Sequence, residues 1–211
     1  VYKPVRSQTL YAKGYREVQD DNYAVGNGYF EQATEVWPHK SWFYTYAEEY
    51  VDKNQYFLAE EKYEQLLRRY PLDKKGVLDY ARLEAEELSN YEQAADILNR
   101  FLNENLYDYE AMLLLGDTYM QWADKDPTKY ENARETFAVM LERYGGQAEV
   151  LFRMLRYFIR TDNYEEVVNL KNQFQANESI TVNPHVYAEL GGYLLDKRKL
   201  DEVQDILFRA H

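Results

Sequence analysis

"FYTYAEEYVDKNQYFLAEEKYEQLLRRYP", residues 43–71, decides the fold. It is dense in aromatic residues yet contains no unbroken hydrophobic run. Phe43, Tyr46, Ala47 and Tyr50 stand three or four residues apart, and Tyr56, Ala59, Tyr63 and Leu66 repeat the same steps. Steps of three and four return to one face of an α-helix. The stretch therefore predicts two amphipathic helices joined by the short polar turn "DKNQ", with Pro71 at the end.

Outward from this stretch the same phrase, polar residues followed by Tyr or Leu, recurs along the whole chain. The anchors are Tyr23, Tyr56, Tyr91, Tyr130, Tyr164 and Leu200, spaced 33, 35, 39, 34 and 36 residues apart. Three residues beyond each anchor stand Gly26, Ala59, Ala94, Ala133, Val167 and Val203. Four further on come Phe30, Tyr63, Leu98, Phe137, Lys171 and Leu207, and then Ala33, Leu66, Phe101, Met140, Phe174 and Ala210. Lys171 breaks the pattern, and neighbouring Leu170 takes its place. The half-repeat before each anchor carries Leu10, Phe43, Val77, Met112, Leu151 and Tyr187, each followed four residues later by a small residue except at Leu155. Small residues allow two helices of a unit to approach, and bulky ones fill the space between units. Self-similarity at this period is the signature of a helical repeat array.

The pattern resembles the tetratricopeptide repeat family over nearly the whole chain. Phe43, Tyr46, Ala47, Tyr50, Ala59, Tyr63 and Pro71 fall where that family places its large, large, small, aromatic, small, aromatic and proline residues. The resemblance implies an all-α, right-handed α-solenoid of about six helix-turn-helix units, at about 7–39, 40–73, 74–108, 109–147, 148–183 and 184–211, forming a single array over 1–211. Glu17 and Glu84 depart from it, standing where the family prefers an aromatic residue or Leu. Unit four carries about five extra residues around "DKDPT", Asp124 to Thr128.

Hydrophobic residues at 45 % and charged residues at 29 % describe a folded chain, with few Gly and Pro to punctuate strands. A formal net charge of −12 repels phosphate backbones and speaks against nucleic-acid binding. No cysteine is present, so disulfides and thiolate sites are excluded, while cytosol and bacterial periplasm both remain compatible. No run approaches the ~20 apolar residues of a membrane span. The chain begins at Val1 rather than Met, which reads as a processed chain or a piece of a longer one.

In the resembling family the first helices of successive units line a groove for peptides or partner helices. Carried onto this sequence, the groove comprises Tyr11, Tyr15, Tyr44, Glu48, Val51, Leu78, Arg82, Asp117, Met120, Phe152, Arg156, Ile159 and Arg160. It is aromatic at the N-terminal end, mixed or acidic in the middle and basic near Arg156 and Arg160. Members that bind acidic chaperone tails use a cluster of Lys, Asn and Arg on these helices, and Tyr11, Tyr15 and Tyr44 stand here where its Lys and Asn would be, so the expected partner is an apolar or amphipathic protein segment. Tyr15, one residue after the small Gly14, is weighed evenly between groove and packing, whereas most of the other tyrosines are expected to pack.

Catalytic readings find no support in the sequence. His39, His185 and His211 lack any paired ligand spacing, and no metal or cofactor is expected. Adjacent pairs such as Glu48/Glu49 point about 100° apart on a helix and cannot form an acid/base couple. The expectation is a non-enzymatic protein-interaction scaffold within a larger assembly. At the C-terminus Val203, Ile206, Leu207 and Phe208 form an apolar face with nothing after it, which also admits self-association. A structural subunit assembling end to end through that face, or an accessory repeat domain of a larger enzyme, are the alternatives.

Overall fold

The computed structural model describes residues 2–145, 147–176, 184–200 and 202–203. Among these the regular structure is entirely helical. The chain divides into two compact units, Val1–Glu104 and Asn105–His211.

The first unit holds α1 (Lys3–Gln19), α2 (Tyr23–Val36), α3 (Lys40–Asp52), α4 (Tyr56–Arg69), α5 (Lys74–Arg82) and α6 (Tyr91–Glu104). They pair as three hairpins, α1 with α2, α3 with α4 and α5 with α6. The anchor tyrosines Tyr23, Tyr56 and Tyr91 are the first residues of the second helices. The core follows the heptad-like steps of the sequence: Phe30, Ala33, Phe43, Tyr46, Ala47, Tyr50, Ala59 and Leu66 are almost wholly buried. The first hairpin is tight because two glycines meet. A Cβ on Gly14 would stand 2.8 Å from the Gly26 carbonyl, and one on Gly26 would stand 2.9 Å from the Gly14 carbonyl.

The second unit holds α7 (Tyr109–Ala123), α8 (Lys129–Tyr144), α9 (Ala148–Arg160), α10 (Tyr164–Ala176) and α11 (Pro184–Asp196). Gly116 of α7 receives the Phe137 ring of α8, and a Cβ there would overlap it. Met140, Val150, Leu155, Val167, Leu190 and Leu194 continue the core. Lys171, the break in the pattern, is buried beside Leu170 and donates to Glu202 Oε2 at 3.1 Å. Nothing described lies within 4 Å of a Cβ on Gly191. The helix expected to follow Leu200 falls mostly outside the described residues.

A single device ends the first helix of most hairpins. Asp21, Asn54, Ser89, Asp162 and Arg198 all have φ between 53° and 62°, and each stands two residues before its anchor. In the first hairpin the Asp21 N–H donates to Val18 O at 3.1 Å and the Asn22 N–H to Glu17 O at 2.8 Å. The same pair of bonds recurs at Asn54/Gln55, Asp162/Asn163 and Arg198/Lys199. This is the Schellman closure, which normally takes glycine at the left-handed residue.

The third hairpin adds one residue to this scheme. Val77 precedes Tyr91 by 14 residues, where Leu10 and Phe43 precede their tyrosines by 13. The extra residue is absorbed as a π-helical turn at Leu83–Glu87, and the closing bond runs from the Asn90 N–H to Glu84 O, six residues back, at 2.7 Å. Single-residue insertions into α-helices take this form. The "DKDPT" insertion is handled differently. Asp126 Oδ1 accepts from the Thr128 N–H at 3.1 Å and its hydroxyl at 2.7 Å, making a local side-chain turn with no left-handed residue.

Candidate partner-binding face

Helices α1 and α3 build an aromatic shelf. Tyr11 stacks on Trp42 at 4.6 Å between centroids, lies 6.3 Å from Tyr15 and meets Tyr46 edge-on at 5.5 Å. Tyr46 is fully buried, and its hydroxyl donates to Tyr11 O at 3.2 Å, which ties the two helices together. Burial holds its pKa far above the usual phenol value. Tyr11, Tyr15, Trp42 and Tyr44 are half-buried and present ring surface. Tyr15 donates to Glu49 Oε1 at 3.3 Å; desolvation first, then the Glu49 charge, raises its pKa. Tyr15 thus both packs against Tyr46 and reaches the surface.

Beside the shelf, Lys75 of α5 lies 4.6 Å over the Tyr44 ring and bridges Glu48 at 2.7 Å and Asp79 at 2.5 Å. Arg82 pairs with Asp79 at 3.2 Å. Glu48, Val51, Tyr63, Lys75 and Arg82 line a shallow polar pocket of about 270 Å³ between α3 and α5. The fold therefore brings Tyr11 and Tyr15 to one shelf, and Tyr44, Glu48, Val51 and Arg82 to its edge. Trp42 was not among the sequence-derived residues. Its signal was present: it lies four residues before Tyr46, on the same helical side.

In the second unit, Asp117 faces Arg153, which donates through Nη2 at 2.9 Å and Nε at 3.1 Å. Burial raises the Asp117 pKa against the opposing pull of Arg153. Arg156 binds both oxygens of Glu189, and Arg160 reaches Asp124 Oδ1 at 2.9 Å. The expected basic end is corrected by these pairs, because each arginine already meets a carboxylate from another helix or loop. Met120 and Ile159 are half-buried.

Leu78 and Phe152 are also corrections. Leu78 is 6 % exposed and Phe152 is 8 % exposed, the latter edge-on to Phe174 at 5.4 Å, so both belong to the core. They occupy the same turn position as Tyr44, but lack a hydroxyl that draws the side-chain tip into water. Val203 is likewise buried, at 8 % exposure, while Ile206, Leu207 and Phe208 lie outside the described residues.

Two buried ionisable groups escaped the sequence reading of function. Lys62 is fully buried, with its Nζ 5.0 Å over the Phe30 ring, 2.5 Å from Glu31 Oε1 and 3.2 Å from Glu61 Oε1. Burial works to raise the Glu31 pKa, but hydrogen bonds from Lys62 and Gln65 outweigh it and hold the carboxyl below its usual range. Glu84 is fully buried in the π-helical turn; its Oε2 accepts from Asn90 Nδ2 at 2.9 Å. Among the described residues no three His, Cys, Asp or Glu side chains converge to hold a metal ion, and no helix is long and apolar enough to cross a membrane.

No protein-family model and no curated protein matches the sequence. Solved structures do match. A tetratricopeptide repeat protein from Parabacteroides merdae superposes with a TM-score of 0.70 at 17 % identity, over 97 % of this chain and 78 % of its own. PilF of Pseudomonas aeruginosa gives 0.62 at 17 % identity, over 100 % of this chain and 90 % of its own. PilW, a type IV pilus biogenesis factor, gives 0.64 at 13 % identity, over 95 % and 90 %. The chain has the tetratricopeptide-repeat fold. Within that fold α1, α3 and α5 are the first helices of the first three repeats, so the aromatic shelf lies on first-helix surface. The Lys75–Glu48 bridge joins the second and third repeats along the same surface.

Proposed function

We propose that the chain is a non-catalytic scaffold that holds an apolar or amphipathic segment of a partner protein on the shelf of α1 and α3, as part of a larger assembly. The observation that carries this reading is the set of four half-exposed rings, Tyr11, Tyr15, Trp42 and Tyr44, with buried Tyr46 packed edge-on against the first two. Rigid aromatic side chains with an apolar body and a polar tip dominate the energetics of protein interfaces. Here Tyr11, Tyr15 and Trp42 are already ordered by stacking and Tyr44 by the Lys75 ammonium over its ring, so little conformational freedom is lost when a segment docks. The proposal takes residues 1–211 as one repeat array.

The test is a displayed library of helical and extended peptides selected on the intact chain, followed by affinity measurement for Trp42→Ala and Tyr15→Ala. Each substitution is expected to weaken a selected peptide by at least about tenfold, the cost of an aromatic hot spot. Trp42→Ala should leave the melting temperature within a few degrees of the parent. Selected peptides whose affinity ignores both substitutions would overturn the proposal.

A further inference from the structure

Helix α1 has three sides. Ser7, Gly14 and Val18 are buried against α2, and Tyr11 and Tyr15 turn to α3. The third side carries Val5, Arg6, Thr9, Ala12, Lys13 and Arg16, all exposed. Spacings of three and four residues keep them on one face, and Lys13, two residues from both Tyr11 and Tyr15, stands about 160° from each around the helix. A shallow groove of about 380 Å³ follows this side, lined by Val5, Gln8, Thr9, Ala12, Lys13 and Arg16. The Thr9 hydroxyl donates to Val5 O at 2.9 Å, so the two short side chains of the groove, Thr9 and Ala12, leave no donor there without an acceptor.

The charge of this side sets it apart from the rest of the chain. Residues 1–16 hold four of the 25 cations, Lys3, Arg6, Lys13 and Arg16, and none of the 37 acids, so the other residues, with 21 cations, carry −16. Elsewhere in the first unit Lys53, Lys62, Lys75, Arg82 and Arg100 each meet a carboxylate. Among the described residues Lys3, Arg6 and Arg16 meet none, and Lys13 has only the Tyr29 ring, 5.9 Å from its Nζ. The placement is also unfavourable within the helix. Lys3 and Arg6 stand in the first turn of α1, which has no acidic residue, and so meet the positive end of the helix dipole. Lys3 and Arg6, and again Lys13 and Arg16, are like charges three residues apart. Chains break local rules of this kind at functional sites.

We propose that this side of α1 docks an acidic amphipathic helix of a partner protein. Short residues of the partner lie over Thr9 and Ala12, and its carboxylates reach Arg6, Lys13 and Arg16. Short side chains at the contact let two helix axes approach to about 8 Å. Arg6 and Lys13 are seven residues apart, close to two helical turns, so carboxylates seven apart on the partner meet both at once. These carboxylates form charge-assisted hydrogen bonds and supply the negative charge that the first turn of α1 lacks. At physiological salt charges are screened over about 8 Å, so the four local cations, not the distant excess of acid, decide the interaction. A groove along one helix fits a ridge of side chains rather than the plane of a bilayer. The site uses no residue of the aromatic shelf, so it stands or falls separately from the scaffold reading.

The experiment is selection of a displayed library of helical peptides on the intact chain, with counter-selection on the charge-reversed chain Arg6→Glu/Lys13→Glu/Arg16→Glu. Peptides held by the aromatic shelf bind both chains and are removed. Those that remain should carry Asp or Glu at seven-residue spacing and bind the parent at least about tenfold tighter than the reversed chain, as charge-assisted pairs predict. Their affinity should fall as salt rises. Replacing their acids by Gln should abolish the preference, and Trp42→Ala in the chain should leave it intact. The three positions are exposed, and Glu at position 6 suits a helix N-terminus, so the reversed chain should melt no lower than the parent. The neutral variant Arg6→Gln/Lys13→Gln/Arg16→Gln should lose the same binding. No peptide surviving the counter-selection, survivors without acidic residues, or binding lost in Trp42→Ala would overturn the assignment. So would self-association, or binding to phosphatidylserine vesicles, that the reversal abolishes while no peptide tells the two chains apart, the occupant then being a second copy or a bilayer.

Discussion

Glu84 takes the repeat position that Tyr50 takes in the preceding hairpin: the carbonyls of both accept the helix-closing bond, from Asn90 and Gln55 respectively. Both side chains are fully buried. A carboxyl in that place loses its hydration, and the charge of Glu60 adds to the effect, so its pKa is pushed up to about 7. The sign of the consequence is fixed. Between the ordinary carboxylate value and about 7 the folded chain holds a proton that the unfolded chain has released, so stability falls as pH rises through that window. Above it the full penalty is present, on the order of 3 kcal/mol. Glu84→Gln should therefore raise the melting temperature at pH 8, leave it nearly unchanged at pH 4.5 and flatten the slope between them. Parallel melting-temperature profiles for the two chains would sink this account. The residue was legible as an anomaly, since Glu84 stands out from the repeat pattern. Lys62 was not, because its position six residues after the anchor carries no required residue type, and only the fold shows that Glu31 and Phe30 enclose it.

At the scale of the element, the helices end where they do because the backbone turns left-handed, and none of the five residues that make this turn before an anchor is glycine. An L-residue there costs about 1–2 kcal/mol, less for Asp and Asn, whose short side chains bond locally. Asn54 does this, accepting from the Tyr56 hydroxyl at 2.8 Å, and Asp21 likewise accepts from Tyr23 at 2.8 Å. Ser89 has φ 53° and is exposed. Ser89→Gly should then stabilise the chain by about 1 kcal/mol, read as a rise in the denaturant midpoint at constant slope. A fall in the midpoint would refute the strain at this turn. The opposite change applies between helices. Ala59 is fully buried, and Ala59→Arg should lower stability by a few kcal/mol through overpacking; Gly116→Ala should do the same on a smaller scale, by about 1–3 kcal/mol, because of the Phe137 ring. These elements were readable in the sequence because spacing alone assigned the faces, and the anchors mark helix starts in α2, α4, α6 and α10. The π-helical turn was visible only as a one-residue excess in a spacing, which does not say whether helix or loop absorbs it.

At the scale of the molecule, repetition made the fold class legible and, for the same reason, left the site obscure. Packing positions recur in every repeat and reinforce one another, whereas surface positions such as Trp42 occur once and have no period to betray them. Leu78 and Phe152 were carried to the surface by register alone, and apolar side chains without a polar tip settle into the core instead. Stability in such arrays is close to a sum of repeat terms and nearest-neighbour terms, with no single core on which everything depends. The first unit, Val1–Glu104, has three complete hairpins and its own core, from Val18 and Phe30 through Tyr46, Tyr50 and Leu66 to Leu98. A stable stack needs at least three repeats, the number this unit holds. Residues 1–104 produced alone should accordingly be helical by circular dichroism, melt cooperatively and keep the Tyr11–Trp42 stacking, reported by near-ultraviolet dichroism. Glu84→Gln in this shorter chain should raise its melting temperature at pH 8 by more than in the full chain, because a smaller unfolding entropy converts the same free energy into a larger temperature shift. A non-cooperative or unfolded 1–104 would show that the first unit needs residues 105–211 in order to fold, and the nearest-neighbour description would then fail for this protein.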